Sequence, residues 1–97
     1  MKTRRIVKRI RCMENLMDEV IYAFEHSKNF HKSKRMSENV KRLTEYMDSG
    51  TWLSDFEKHE RGELPQKLKC GVLSEDTLYN LICDIEHEKR NQKNNGI

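Results

Sequence analysis

YMDSGTWLSDFEKHERGELPQKLKCGVLSEDTLY, residues 46–79, holds the only Trp, the only Pro and three of the four glycines in the chain. Its punctuation cuts the chain into elements. Ser49-Gly50 stops the preceding helix, with Gly50 suited to the left-handed position past a helix end. Thr51 is the expected N-cap of a short helix carrying Trp52, Leu53 and Phe56, in which Trp52 and Phe56 share a face at i, i+4. Gly62 ends that helix. Leu64 is extended because the residue before proline avoids the α region. Leu68, Val72 and Leu73 are apolar positions in a polar loop, and they are expected to pin it to a core. Ser74-Glu75-Asp76 then starts a last helix. Ser74 caps it, while Glu75 and Asp76 place acids where the helix dipole favours them.

Upstream, Ile6, Ile10, Met13, Met17, Val20 and Phe24 recur at +4, +3, +4, +3, +4, the spacing of one helix face. Leu16, Ile21 and Ala23 widen the stripe, which fits a helix packed on more than one neighbour. This helix is predicted from about Thr3 to about residue 29, roughly 40 Å long. A connection over Asn29–Ser33 leads to a second helix, Lys34–Asp48, built on Met36, Val40, Leu43 and Met47 with Tyr46 beside them. The two helices form an antiparallel αα-hairpin. Downstream, Leu78, Leu81, Ile82 and Ile85 form the buried face of the last helix, and Lys89 and Arg90 suit its C-terminal dipole. The predicted fold class is all-α: a long N-terminal helical hairpin, a short helix, an ordered Pro/Gly loop and a C-terminal helix, about four helices in all. Residues 1–90 are expected to form a single helical domain and 91–97 a flexible polar tail.

A chain of 97 residues fits one domain. Charged residues make up 36% and hydrophobic residues 35%, but the apolar positions are periodic, which argues against disorder. The net charge is only +3, yet residues 1–11 carry six cations (Lys2, Arg4, Arg5, Lys8, Arg9 and Arg11) and no acid. Cys12, Cys70 and Cys83 are odd in number and far apart, which suits a reduced, cytoplasmic protein better than a disulfide framework. Lys8, Arg9, Arg11, Glu14 and Asn15 break any apolar run after the basic start, so neither a signal peptide nor a membrane span is expected.

The residues Tyr46, Ser49, Trp52, Asp55, Phe56, Glu57, Glu60, Gly62, Leu64, Pro65, Leu68, Lys69, Gly71, Val72, Leu73, Ser74, Glu75, Asp76 and Tyr79 form a pattern. It reads Trp…Asp-Phe-Glu…Leu-Pro…Leu-Lys…Gly-Val-Leu-Ser-Glu-Asp, and it resembles that of a small bacterial all-helical domain family of unknown function. Gly-Val-Leu-Ser-Glu-Asp is its most specific run, and the resemblance covers about the middle third of the chain. His59, Arg61, Lys67 and Cys70 depart from the pattern, which has Asp, Ala, Asp and Arg there. The resemblance implies an all-α fold and no particular activity.

Chemistry-bearing residues are sparse. Asp55, Glu57, Glu60, Glu75 and Asp76 could meet a cation or a basic partner, but helix-terminal electrostatics already account for Glu75 and Asp76, and Asp55 can pair with Lys69 or Arg61. Cys83 and His87 at i, i+4 would need His59 and Cys70 to complete a zinc set, and no dense Cys/His spacing supports one. Cys70, beside Lys69 and near His59 in sequence, is the single candidate nucleophile. Neither catalysis nor a cofactor or metal is expected. The favoured reading is a non-enzymatic protein-interaction module, of the kind that acts as an accessory or inhibitor on a larger nucleic-acid-handling enzyme of bacteria or phage. Its expected partner surface comprises Asp55, Glu57, Glu60, Lys69 and Tyr79. The alternative is direct nucleic-acid binding through Lys2, Arg4, Arg5, Lys8, Arg9 and Arg11. Lys28, Lys32, Lys34 and Arg35 lie at the far end of the hairpin and should not merge with that group. A second copy closing on the N-terminal stripe is a further expected partner.

Overall fold

The computed structural model describes the backbone of residues 2–74 and 76–95 and the side chains of residues 3–74 and 76–91. The expectations for Glu75 and for the Lys2 side chain lie outside the described residues. The described residues form four α-helices, α1 (Lys2–His26), α2 (Lys34–Asp48), α3 (Thr51–Glu60) and α4 (Thr77–Asn95), with 3-10 turns at Phe30–Lys32 and Gly71–Leu73. No strand occurs among the described residues, and the all-α class read from periodicity is the class observed.

α1 ends at His26, earlier than its apolar spacing suggests, because Phe30 is drawn inward. Ser27 Oγ accepts from the Asn29 N–H at 3.2 Å, and the following 3-10 turn seats Phe30 edge-on against Phe24. α2 starts where predicted, with Ser33 as N-cap accepting from the Met36 N–H. Arg35 pairs with Glu19 at one end of α2, and Arg42 reaches Cys12 nearer the other, so the hairpin is antiparallel.

Gly50 has φ of +84°, the left-handed geometry expected of it. It also takes the N-cap position of α3: its carbonyl accepts from the Ser54 N–H, and Thr51 becomes the first helical residue instead of the cap. Gly62, with φ of +71°, follows the C-cap Arg61 and turns the chain out of α3. The Ser74 cap is corrected as well. The 3-10 turn that buries Val72 and Leu73 is closed by the Ser74 N–H donating to Gly71 O; α4 starts at Thr77, and Asp76 O accepts its first helical bond from Asn80. α4 stays helical to Asn95, past the boundary expected at residue 90, since no Gly or Pro interrupts it before Gly96.

One core joins all four helices. Ile10, Val20, Leu43, Val72, Leu73 and Leu78 are its largest fully buried apolar side chains. Each such side chain is worth roughly 1.5–3 kcal/mol of burial. Small domains bury a modest share of their surface, so a loop that contributes Val72 and Leu73 is a structural element. The α1 stripe is taken up within the chain: Ile10, Met17 and Val20 are buried, while Ile6, Met13 and Phe24 pack against the core margin.

Candidate functional site

Among the described residues, two buried carboxylates fasten the Tyr46–Tyr79 segment to α1. The first is Asp55. It was expected at the surface, paired with Lys69 or Arg61, and is instead completely buried. Trp52, Asp55 and Phe56 share the inner face of α3, and that geometry carries the carboxylate inward. Arg9 reaches it through two bonds, Nε to Oδ2 at 2.9 Å and Nη2 to Oδ1 at 2.5 Å. Tyr46 Oη donates to Oδ2 at 2.7 Å. Burial pushes the Tyr46 phenol well above its ordinary pKa, helped by its bond to Asp55. The same carboxylate holds the Arg9 guanidinium proton more tightly than usual.

The second point is Glu14, itself almost wholly buried. Its carboxylate accepts from the backbone N–H of Gly71 at 3.2 Å and of Val72 at 2.6 Å. Close by, Trp52 Nε1 donates to Val72 O at 2.8 Å, and its indole stacks on Phe56. Lys69 Nζ pairs with Asp18 at 2.9 Å on the solvent side. Sequence reading missed both roles. The available signal was an acid inside an apolar stripe: Glu14 sits between Ile10 and Met17 at helical spacing, as Asp55 does beside Trp52 and Phe56.

The five expected partner-binding residues therefore do not form one surface. Asp55 is withdrawn into the core as described. Lys69 is exposed but lies in a cleft of 290 Å³ with Arg11, Asn15 and Lys67, against α1. Tyr79 lines a different groove, of 370 Å³, with Met47, Trp52, Leu53, Asp76 and Leu78. Glu57 and Glu60 are exposed and follow Leu53 on the same face of α3 at i+4 and i+7. Leu53 is 51% exposed and Tyr79 57% exposed, two of the three large apolar side chains left in solvent among the described residues. A bond shared with Cys83, one turn along α4, raises the Tyr79 phenol pKa.

Of the basic group, Arg4, Arg5, Lys8 and Arg11 are exposed and have no acid partner among the described residues, whereas Arg9 is committed to Asp55. The second basic cluster stands at the opposite end of α1, where Arg35 meets Glu19. Cys70 is half-buried, and burial, then Glu14, push its thiol pKa up, the opposite of what activates a nucleophile. His59 and Glu57 face solvent while Asp55 does not, so these three do not converge. Cys83 and His87 are both exposed, and among the described residues no three His, Cys, Asp or Glu side chains come together as metal ligands would. No helix is long and apolar enough to cross a membrane among the described residues.

No curated protein and no solved structure matches the chain. A family model, described as a domain of unknown function (DUF4298), matches residues 10–91, which takes in α1 from Ile10 onward, α2 and the fastened segment. The chain belongs to this family.

Proposed function

We propose that the protein is an interaction module that docks on a larger protein through the groove between α3 and α4. The observation that carries this reading is the groove that Leu53 and Tyr79 both line. They come from separate helices, stay exposed, and line one groove with Trp52 and Met47. Aromatic and aliphatic anchors of this kind are where interface energy concentrates. Asp76 borders the groove, and Glu57 and Glu60 continue from Leu53 along α3, so the fitting partner presents an apolar side chain flanked by Lys or Arg. A photocrosslinking residue placed at position 53 in cells tests this. The reading expects one discrete protein adduct that an identical label at Glu38, on α2, does not give. Adducts indistinguishable from those at Glu38 would overturn it.

A second reading is favoured by a separate observation. Arg4, Arg5 and Lys8 stand exposed and unpaired at the start of a helix whose dipole they oppose. Cations held at such a cost suit phosphate contact. The two readings are compatible, because an accessory protein of a nucleic-acid-handling enzyme would use both surfaces. Binding of a fluorescent oligonucleotide at low salt, lost on joint Ala substitution of Arg4, Arg5 and Lys8, supports it; no binding at low salt overturns it.

A further inference from the structure

The cleft beside α1 places loop cations against helix cations that are distant in sequence. Arg4, Lys8, Arg11 and Asn15 succeed one another at +4, +3, +4, which puts them on one outer stripe of α1. Arg5 lies off that stripe, roughly a quarter-turn away on a 3.6-residue helix. Where the stripe reaches Arg11 and Asn15, the loop after Pro65 packs alongside and adds Lys67 and Lys69 to the cleft wall. Arg4, Lys8, Arg11 and Lys67 are exposed with no acid partner among the described residues, while Lys69 is held by Asp18. Two acids also line the cleft: Asp18, and Glu14, whose carboxylate accepts from the Gly71 and Val72 N–H groups and lies 4.0 Å from Lys69 Nζ.

We propose that this α1 stripe and the Lys67 loop form one track for the phosphate backbone of a nucleic acid. The proposal rests on the second reading above, in that Arg4 and Lys8 contact phosphate, and goes beyond it by adding Arg11 and a loop element and by dropping Arg5. Arg4 to Arg11 spans about 10 Å at 1.5 Å per residue, which matches about three base-pair steps at 3.4 Å of axial rise. Flexible lysines are depleted in protein interfaces but serve phosphates well as point charges. None of the exposed large apolar side chains lies between Arg4 and Asp18, so the track lacks the apolar anchors that a protein partner or a bilayer surface would engage. The track engages backbone charge alone, so binding is indifferent to base sequence.

Anisotropy of short fluorescent oligonucleotides, single- and double-stranded, over a salt series tests the track. Ala substitution of Lys67 or Arg11 is expected to weaken binding several-fold and to lower the salt slope by about 0.7–0.9, the share of one neutralised phosphate. Arg5→Ala should leave both nearly unchanged, and Asp18→Asn, which frees Lys69, should tighten binding. Lys67 is exposed on a loop, and a far-UV spectrum with Lys67→Gln as a second variant separates a missing cation from misfolding. If Arg4→Ala and Lys8→Ala weaken binding while Lys67→Ala and Lys67→Gln do not, the helix acts alone and the track is wrong, though the second reading stands. If no oligonucleotide binds, both fall. Tighter binding to phosphatidylserine vesicles or polyglutamate than to oligonucleotides would overturn the track in favour of those partners.

Discussion

Arg9 and Asp55, 46 residues apart, meet in a two-point ion pair in which the carboxylate is wholly shut off from solvent. A buried pair of this kind adds little over an apolar replacement, but removing one member strands a charge, at a cost of about 3–5 kcal/mol. Arg9→Met is therefore expected to destabilise the fold by about that much, and Asp55→Ala somewhat less, since Arg9 can turn toward water. Tyr46→Phe should cost about 1–2 kcal/mol by removing one donor to Asp55. Urea denaturation of the single and double variants measures these losses. Additive losses for Arg9 and Asp55 would show that the pair is not coupled.

Gly71 is constrained by what stands beside it. A Cβ at this position would come within 2.8 Å of Glu14 Oε1. That oxygen ends a flexible side chain, but it is held by the Gly71 N–H, while its companion oxygen is held by Val72. Gly71→Ala is expected to displace the carboxylate and cost about 1–3 kcal/mol through the N–H groups left unpaired. Glu14→Gln should cost a similar amount. Near-native stability of Gly71→Ala would mean that Glu14 is not the fastening point.

Tyr46 predicts a sensitivity to alkali. Its phenol pKa is raised by burial and by Asp55, so the folded chain keeps this proton at pH values where the unfolded chain has lost it. The stability it contributes is fully present below a pH of about 10 and is lost as pH rises above that value. Stability measured against pH should fall more steeply above pH ~10 in the native sequence than in Tyr46→Phe. Equal slopes would contradict the buried hydrogen bond.

The cysteines should differ in reactivity. Cys70 is half-buried with its thiol pKa raised by burial and by Glu14, whereas Cys83 is exposed on α4. Near neutral pH, iodoacetamide is expected to label Cys83 before Cys70, and Glu14→Gln should speed labelling of Cys70. Earlier labelling of Cys70 in the native sequence would contradict its placement.

Much of the fold was legible because it rests on local rules. The +4, +3 apolar spacing placed α1 and α2, and Gly50 and Gly62 marked the two stops through their left-handed geometry. Thr51 and Ser74 misled because capping residues abound, and the choice among neighbours depends on tertiary packing. Gly50 takes the N-cap position one residue before Thr51, and α4 starts at Thr77, three residues past Ser74. The site was less legible because it depends on contacts across the chain. Sequence alone could not tell that Arg9 leaves the basic group for Asp55, that Lys67 and Lys69 line one cleft with Arg11, or that Leu53 and Tyr79 line one groove. An acid set within an apolar stripe, Glu14 between Ile10 and Met17 and Asp55 beside Trp52 and Phe56, was the local irregularity that pointed to such contacts.

The central claim is that the Leu53–Tyr79 groove is the docking face. The most direct measurement is a calorimetric titration of the protein captured at position 53 against the native chain, Leu53→Asp and Tyr79→Ala. Both side chains are exposed, so the melting temperature should be nearly unchanged, as is usual for surface substitutions. Affinity should fall by about tenfold or more in each variant, the loss of at least ~1.4 kcal/mol expected of an interface anchor. Native affinity in Leu53→Asp, with the fold intact, would contradict the claim.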